Sequence, residues 1–399
     1  LFRSWTLEPH VIHHYLHRFI FPAYMRHQRS KISASGQALG GDMLFGRRVG
    51  FSGTPSDLLP KELGKCSYET GDDGKMLSTV LDPEIDLNPG DEVIVPAVSW
   101  ATTYYPLTQY GLTLRFVDID IDTLNLDLDQ LEAAIGPKTK GVFAVNLLGN
   151  PLDFARLTEI ADRHGLVVLE DNCESLGARA DGRAAGTVGV MGTFSAFFSH
   201  HISTMEGGMI LTESERLAQT LRSLRAHGWT RDLPEKNFVH DKTGDAFEDL
   251  FRFVLPGYNV RPLEMSGALG IEQLKKVPSL IAGRRENAAY FVEKFRDLRN
   301  VRIQKETGES SWFGFSMILE GGLAGRRAEV VDALRAAGVE SRPIVAGNFT
   351  KNPVMRYLDA VVPDALPAAD KVDVDGLFVG NHHFAVHEGI DLVYDTVAS

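Results

Sequence analysis

Cysteine is scarce: Cys66 and Cys173 are the only two in 399 residues. A disulfide framework is therefore not what stabilises the chain, and a reducing compartment fits it. Two thiols are also too few for an iron–sulfur cluster held by four cysteines of one chain. No apolar run approaches the roughly 20 residues that span a bilayer. The opening stretch does not read as a signal peptide, because His10, His13, His14, His17 and Arg18 interrupt any apolar core. Positive charge is in deficit too: 41 Lys and Arg stand against 53 Asp and Glu, a net charge of -12. A phosphate backbone is then an unfavourable partner, so neither nucleic acid nor membrane is expected. A local arginine pocket can still bind a diphosphate whatever the total charge. These absences point to a cytoplasmic protein working on small molecules.

What is present is a globular composition, 44% hydrophobic and 24% charged. From about residue 84, short apolar strands alternate with helical segments. Strands are expected at 92–95, 114–117, 141–145, 166–169, 193–198 and 208–212, with helices at 128–135, 152–164 and 214–226. Such alternation with near-continuous apolar strands implies an α/β fold, a mainly parallel sheet covered by helices. Two longer helices are expected at 264–276 and 281–298. A strand at 312–319 and a helix at 326–337 then begin a smaller C-terminal α/β domain. The domain expectation is 1–82 as an atypical segment, 83–276 as the large domain and 277–399 as the small one. Residues 1–82 show little strand–helix rhythm.

Two motifs carry chemistry. Leu169-Glu-Asp-Asn-Cys-Glu-Ser-Leu-Gly177 ends a buried strand in carboxylates, where ligands of open α/β sheets bind. Asp171 there can face a protonated pyridine nitrogen, keeping such a ring electron-poor; the plainer reading is a cap on a following helix. The second motif carries Ser195, whose hydroxyl can hold a phosphate, then His200 and His201, then Glu206-Gly-Gly208. A histidine is a general base near neutral pH. A satisfied loop histidine is the better reading for His201 and not for His200.

The order and spacing of several stretches from about residue 84 onward resemble the DegT-type sugar aminotransferases. These are pyridoxal-phosphate enzymes of the aspartate-aminotransferase fold. The stretches are Pro89-Gly-Asp-Glu-Val-Ile-Val-Pro96, Trp100-Ala-Thr-Thr103, Phe116-Val-Asp118, Glu170-Asp171, Phe194-Ser195, Glu206-Gly-Gly208 and Gly257-Tyr-Asn-Val-Arg-Pro-Leu-Glu264. In that family the residue five after the Phe-Ser serine is the lysine that bonds the cofactor. Here it is His200, which lacks a primary amine. The resemblance therefore implies pyridoxal phosphate held without a covalent bond and used as pyridoxamine phosphate, as in the nucleotide-sugar 3-dehydratases. Glutamate would supply the amino group and His200 would act as base. The C3 hydroxyl of a nucleotide-linked 4-keto-6-deoxy sugar, favoured as GDP-linked, would be lost. One subgroup of such enzymes carries an iron–sulfur cluster, with its cysteines after the Glu-Gly-Gly strand. Residues 221–238 contain none.

By position, the resemblance gives Trp100 to the cofactor ring, Asp171 to its nitrogen and Ser195 to its phosphate. Asn259 would reach the phosphate in a partner subunit, which implies a homodimer with shared sites. His227, Arg231 and Arg342 are candidates for the substrate carboxylate or diphosphate. His382, His383 and His387 do not make a recognisable metal site, and no metal is expected. The family's phosphate-binding Ser-Gly-Thr loop has only an early echo, Ser52-Gly-Thr-Pro-Ser56. Residues 1–82 are accordingly expected to be foreign to the family, a fusion or a gene-model error. The competing expectations are an aminotransferase using Lys242 or Lys275, and an inactive fusion product.

Overall fold

The computed structural model describes residue 85 and residues 87–398, with the backbone of a two-residue strand pair, Met43–Leu44 against Arg47–Arg48. The expectations for 1–82 otherwise lie outside the described residues.

The large unit begins with β1 (Glu92–Pro96). It continues through α1 (Ala101–Gln109), β2 (Thr113–Val117), α2 (Leu128–Ala134) and β3 (Thr139–Val145). Then come α3 (Phe154–His164), β4 (Val167–Asp171), β5 (Met191–Ser195), β6 (Gly208–Leu211) and α4 (Glu215–Arg225). α5 (Glu264–Phe295) leads into the smaller unit of β7 (Val301–Ile303), β8 (Gly314–Leu319), α6 (Arg327–Ala336) and β9 (Ser341–Arg342). β10 (Ala360–Val361), α7 (Pro367–Asp375), β11 (Gly376–Gly380) and α8 (His387–Ala398) complete the chain.

The large sheet runs β6-β5-β4-β3-β1-β2-β10, and only β6 is antiparallel to its neighbour. The chain passes from β1 out to β2, then back across β1 to β3. That reversal opens the crevice at the strands' carboxyl ends where ligands bind in such sheets. Strand residues such as Val93, Ile94, Val95 and Val142 are wholly buried because helices cover both faces. One face packs Val93, Val95 and Leu114 against Tyr104, Phe349 and Val372. The other packs Ile94, Val142 and Val168 against Leu131, Phe154 and Leu157. α3 forms on an amphipathic stretch between an Asp153 side-chain cap and Gly165 in the left-handed region.

Two features differ from the sequence expectation. The two helices expected at 264–276 and 281–298 are one helix, continuous through Pro278. A proline removes one helical hydrogen bond and costs about 3 kcal/mol. Burial of Leu280, Ile281, Arg284, Ala288 and Phe291 on one side offsets that loss. Second, the chain returns from the small unit to the large one. β10 pairs with β2, and Phe349, Leu366 and Val372 join the large core. Asp118, at the end of β2, is fully buried and caps α7 by accepting from the Ala368 and Ala369 N–H groups, both at 2.8 Å. The acid after this strand is structural.

Candidate active site

Four parallel strands deliver their ends to one edge. Asp171 ends β4, with Val145 of β3 opposite it on one side and Thr193 of β5 on the other. Asp171 caps no helix. Its carboxylate accepts from the Thr103 hydroxyl at 2.7 Å and from the Cys173 N–H at 3.1 Å. The Thr103 bond ties α1 to β4 and leaves the carboxylate only 5% exposed at the crevice. Trp100 sits at the first turn of α1 with 59% exposure, so it is not a core tryptophan and presents a broad indole face. Ser195 ends β5, its Oγ accepting from the Phe197 N–H at 3.2 Å.

His200 and His201 follow on the loop into β6, and the structure separates them. His201 is 5% exposed and donates from Nε2 to the Ser311 carbonyl at 3.2 Å. Burial first, then the Arg284 guanidinium, push its imidazole down to about 3, so it stays neutral. His200 is half-buried, with its ring against Phe313 at 5.2 Å and edge-on to Phe197 at 5.9 Å. The loop closes through Gly207 at φ 151, whose carbonyl accepts from Ala196 N–H and where a Cβ would meet Thr204 Oγ1 at 2.6 Å.

Glu174 is a site residue that the sequence reading passed over. Burial, opposed by the Leu148 N–H bond at 2.9 Å and reinforced by the Asp171 charge, lifts its carboxyl to about 7. It therefore exchanges a proton near neutral pH. Its position three residues beyond Asp171, in the same motif, was the available signal.

His227, Arg231 and Asn259 form a second group. His227 sits in the left-handed region, its N–H bonded to the Tyr258 carbonyl at 2.7 Å and its ring 5.2 Å from Trp229. The Arg231 and Arg261 guanidiniums lie 4.8 and 5.5 Å from the Trp229 ring centre. Arg261 also donates to Asn259 Oδ1 at 3.2 Å; it too escaped the sequence reading. Arg342 is exposed and pairs with Glu340 at 2.8 Å. Lys242 donates to the Arg231 carbonyl and Lys275 pairs with Glu272, both on the surface. His382 stacks on Phe384 and His387 on Tyr290. Among the described residues no three or more His, Cys, Asp or Glu gather as metal ligands, and no helix is long and apolar enough to cross a membrane.

A parallel sheet with a carboxylate, an exposed indole, a hydroxyl and an imidazole at its carboxyl edge is the arrangement of a pyridoxal-phosphate-type enzyme. The chain belongs to the DegT/DnrJ/EryC1/StrS aminotransferase family, which it matches over residues 74–398. That match reaches into the segment set apart by sequence. The GDP-4-keto-6-deoxy-D-mannose 3-dehydratase of Yersinia pseudotuberculosis is 58% identical over 308 residues, 77% of this chain and 78% of that protein. The protein of the same name from Escherichia coli is 54% identical over 313 residues, covering 78% of this chain and 81% of that one. The fold superposes on a crystal structure of GDP-4-keto-6-deoxymannose-3-dehydratase with a trapped PLP-glutamate geminal diamine. There the TM-score is 0.77 at 53% identity, over 79% of this chain and 83% of the other.

Proposed function

We propose that this chain is a cytoplasmic nucleotide-sugar 3-dehydratase that removes the C3 hydroxyl of GDP-4-keto-6-deoxymannose. It uses pyridoxal or pyridoxamine phosphate, takes its amino group from glutamate, and needs no iron–sulfur cluster. The observation that carries this reading is the half-buried imidazole of His200 at the position where the family has its lysine.

The donor set fits the cofactor. Asp171 offers an acceptor for a ring N–H at the strand end, with Thr103 and Cys173 fixing its direction. Trp100 offers an apolar face for the ring and Ser195 a hydroxyl for the phosphate. When bound, the cofactor supplies an amine for the sugar ketone and an electron-poor ring that accepts the electrons of a broken C–H bond. His200 takes a proton from carbon onto its imidazole and holds it in the site. Glu174, near half protonation at neutral pH, can give or accept a proton at the same edge. With no primary amine at 200, the loop cannot displace the sugar covalently.

The same proposal makes the enzyme a homodimer with shared sites. Asn259, Arg231, His227 and Arg261 would serve the partner's pocket and its diphosphate. Phe247, Phe251, Phe253, Leu263 and Met265 face solvent beside them, an apolar surface of the kind a second subunit covers. The division into 1–82, a cofactor-binding part 83–276 and a smaller domain 277–399 belongs to this proposal too, as does a role for Arg342 at the substrate. Incubation with glutamate and the GDP-linked 4-keto sugar should release ammonia and a 3-deoxy sugar. Stoichiometric 4-amino sugar, or a borohydride-trapped adduct on Lys242 or Lys275, would instead make it an aminotransferase.

A further inference from the structure

The geometry points to Phe313 as the positioning residue that aims His200. This inference rests on the reading of His200 as base, and it explains how an imidazole stays in place where a lysine would be anchored by its own covalent bond.

His200 is walled by two phenyl rings, Phe197 at an interplanar angle of 77° and Phe313 at 51°. Phe197 is three residues away on the same loop and moves with it. Phe313 comes from the small unit and is fixed independently. Its N–H donates to the Leu148 carbonyl at 2.9 Å, and its own carbonyl accepts from the Arg284 guanidinium at 3.1 Å. Arg284 is itself 5% exposed and donates a second bond to the Asn381 carbonyl at 2.8 Å. The ring of Phe313 is thus bolted at both ends of its own residue.

The turn it is bolted to is strained. Leu148 at φ 52 and Trp312 at φ 48 are both non-glycine residues in the left-handed region. Between them Gly149 lets the two segments touch, since a Cβ there would meet Ser311 Oγ at 2.7 Å and Trp312 N at 2.8 Å. Such strain persists only where the surroundings over-determine it, and it concentrates at functional sites. The same clasp supplies the Leu148 N–H that holds Glu174 and the Ser311 carbonyl that anchors His201. One segment therefore holds both histidines: the Ser311 carbonyl accepts from His201, and the Phe313 ring lies 5.2 Å from the His200 ring and 5.8 Å from that of His201.

The test is Phe313→Leu, which keeps an apolar side chain and removes the ring, with Phe313→Tyr as the conservative rescue and Phe313→Met should the leucine variant not fold. In cofactor-free protein the His200 ring-proton resonances, assigned by their loss in His200→Asn, should move and broaden in Phe313→Leu and return in Phe313→Tyr. With cofactor, kcat should fall about tenfold to a hundredfold while KM for the nucleotide sugar stays within about twofold, since misaiming costs rate rather than binding. Unmoved His200 resonances with kcat within about twofold, or a tyrosine variant as slow as the leucine one, would overturn the inference. A fully active His200→Asn enzyme would sink the base reading instead, and the resonance measurement would still decide whether Phe313 holds the ring.

Discussion

At the carboxyl edge of the large sheet, Asp171 and Glu174 are bonded from within the chain and His200 is walled by two rings. In the 227–261 stretch, side chains of the same usefulness stand open. Arg231 and Arg261 lie over Trp229, and phenylalanines beside them face solvent, Phe247 at 85% exposure. The first region has its polar groups oriented before any ligand arrives, which is what proton transfer requires. The second presents exposed cations and apolar surface to solvent, which suits a grip completed by another subunit. Chemistry and grip would then be contributed by different chains.

The largest effect expected is at the first region. His200→Asn should lower ammonia release by about a hundredfold to ten-thousandfold, the usual contribution of a positioned general base. Retention of more than about a tenth of the rate would move the base to another group.

Next, the separation itself can be broken. Arg231→Ala should lower kcat/KM about tenfold to a hundredfold by removing a charge-assisted contact. If the sites are shared, dissociating and mixing it with His200→Asn should restore activity, because a hybrid dimer places an intact His200 opposite an intact Arg231. A randomly paired mixture would regain about a quarter of wild-type sites. Activity no greater than the sum of the two parents would show that each chain builds its site alone.

The smallest effect concerns stability. His201 stays neutral in the fold, with its pKa lowered from 6.5 to about 3, so the unfolded chain binds the extra proton between those values. Stability from this group is complete above 6.5 and is lost as pH falls toward 3. His201→Gln, which cannot take that proton, should flatten the fall of melting temperature over this window while leaving the activity of the neighbouring base largely intact. An unchanged slope would mean that His201 is not buried as a neutral ring.

Much of the scaffold was legible because its signal is local. Apolar strands at 92–95, 114–117 and 141–145 and the amphipathic helix at 152–164 appear within a few residues of their expected limits. The break expected between 276 and 281 did not occur, since the buried face of α5 outweighs the single hydrogen bond lost at Pro278. The return of 360–361 to the large sheet was not legible, because β10 is two residues long and its partner β2 lies some 250 positions earlier, a separation like that of Asp118 and Ala368.

What the sequence determined alone is chemical identity at fixed spacing. A histidine at 200 has no primary amine, and that excludes a Schiff base to the cofactor at this position in any conformation. Two cysteines exclude a cluster held by four cysteines of these 399 residues in the same way. The tertiary structure decided what those residues do with their neighbours. It buried His201 and left His200 half open, although the two are adjacent and chemically alike. It raised Glu174 by stacking burial and the Asp171 charge upon it. It also brought Phe313 against a ring more than a hundred positions away, as Ser311 is brought to His201. Desolvation and long-range packing set these differences, and neither acts on a residue until the chain around it has folded.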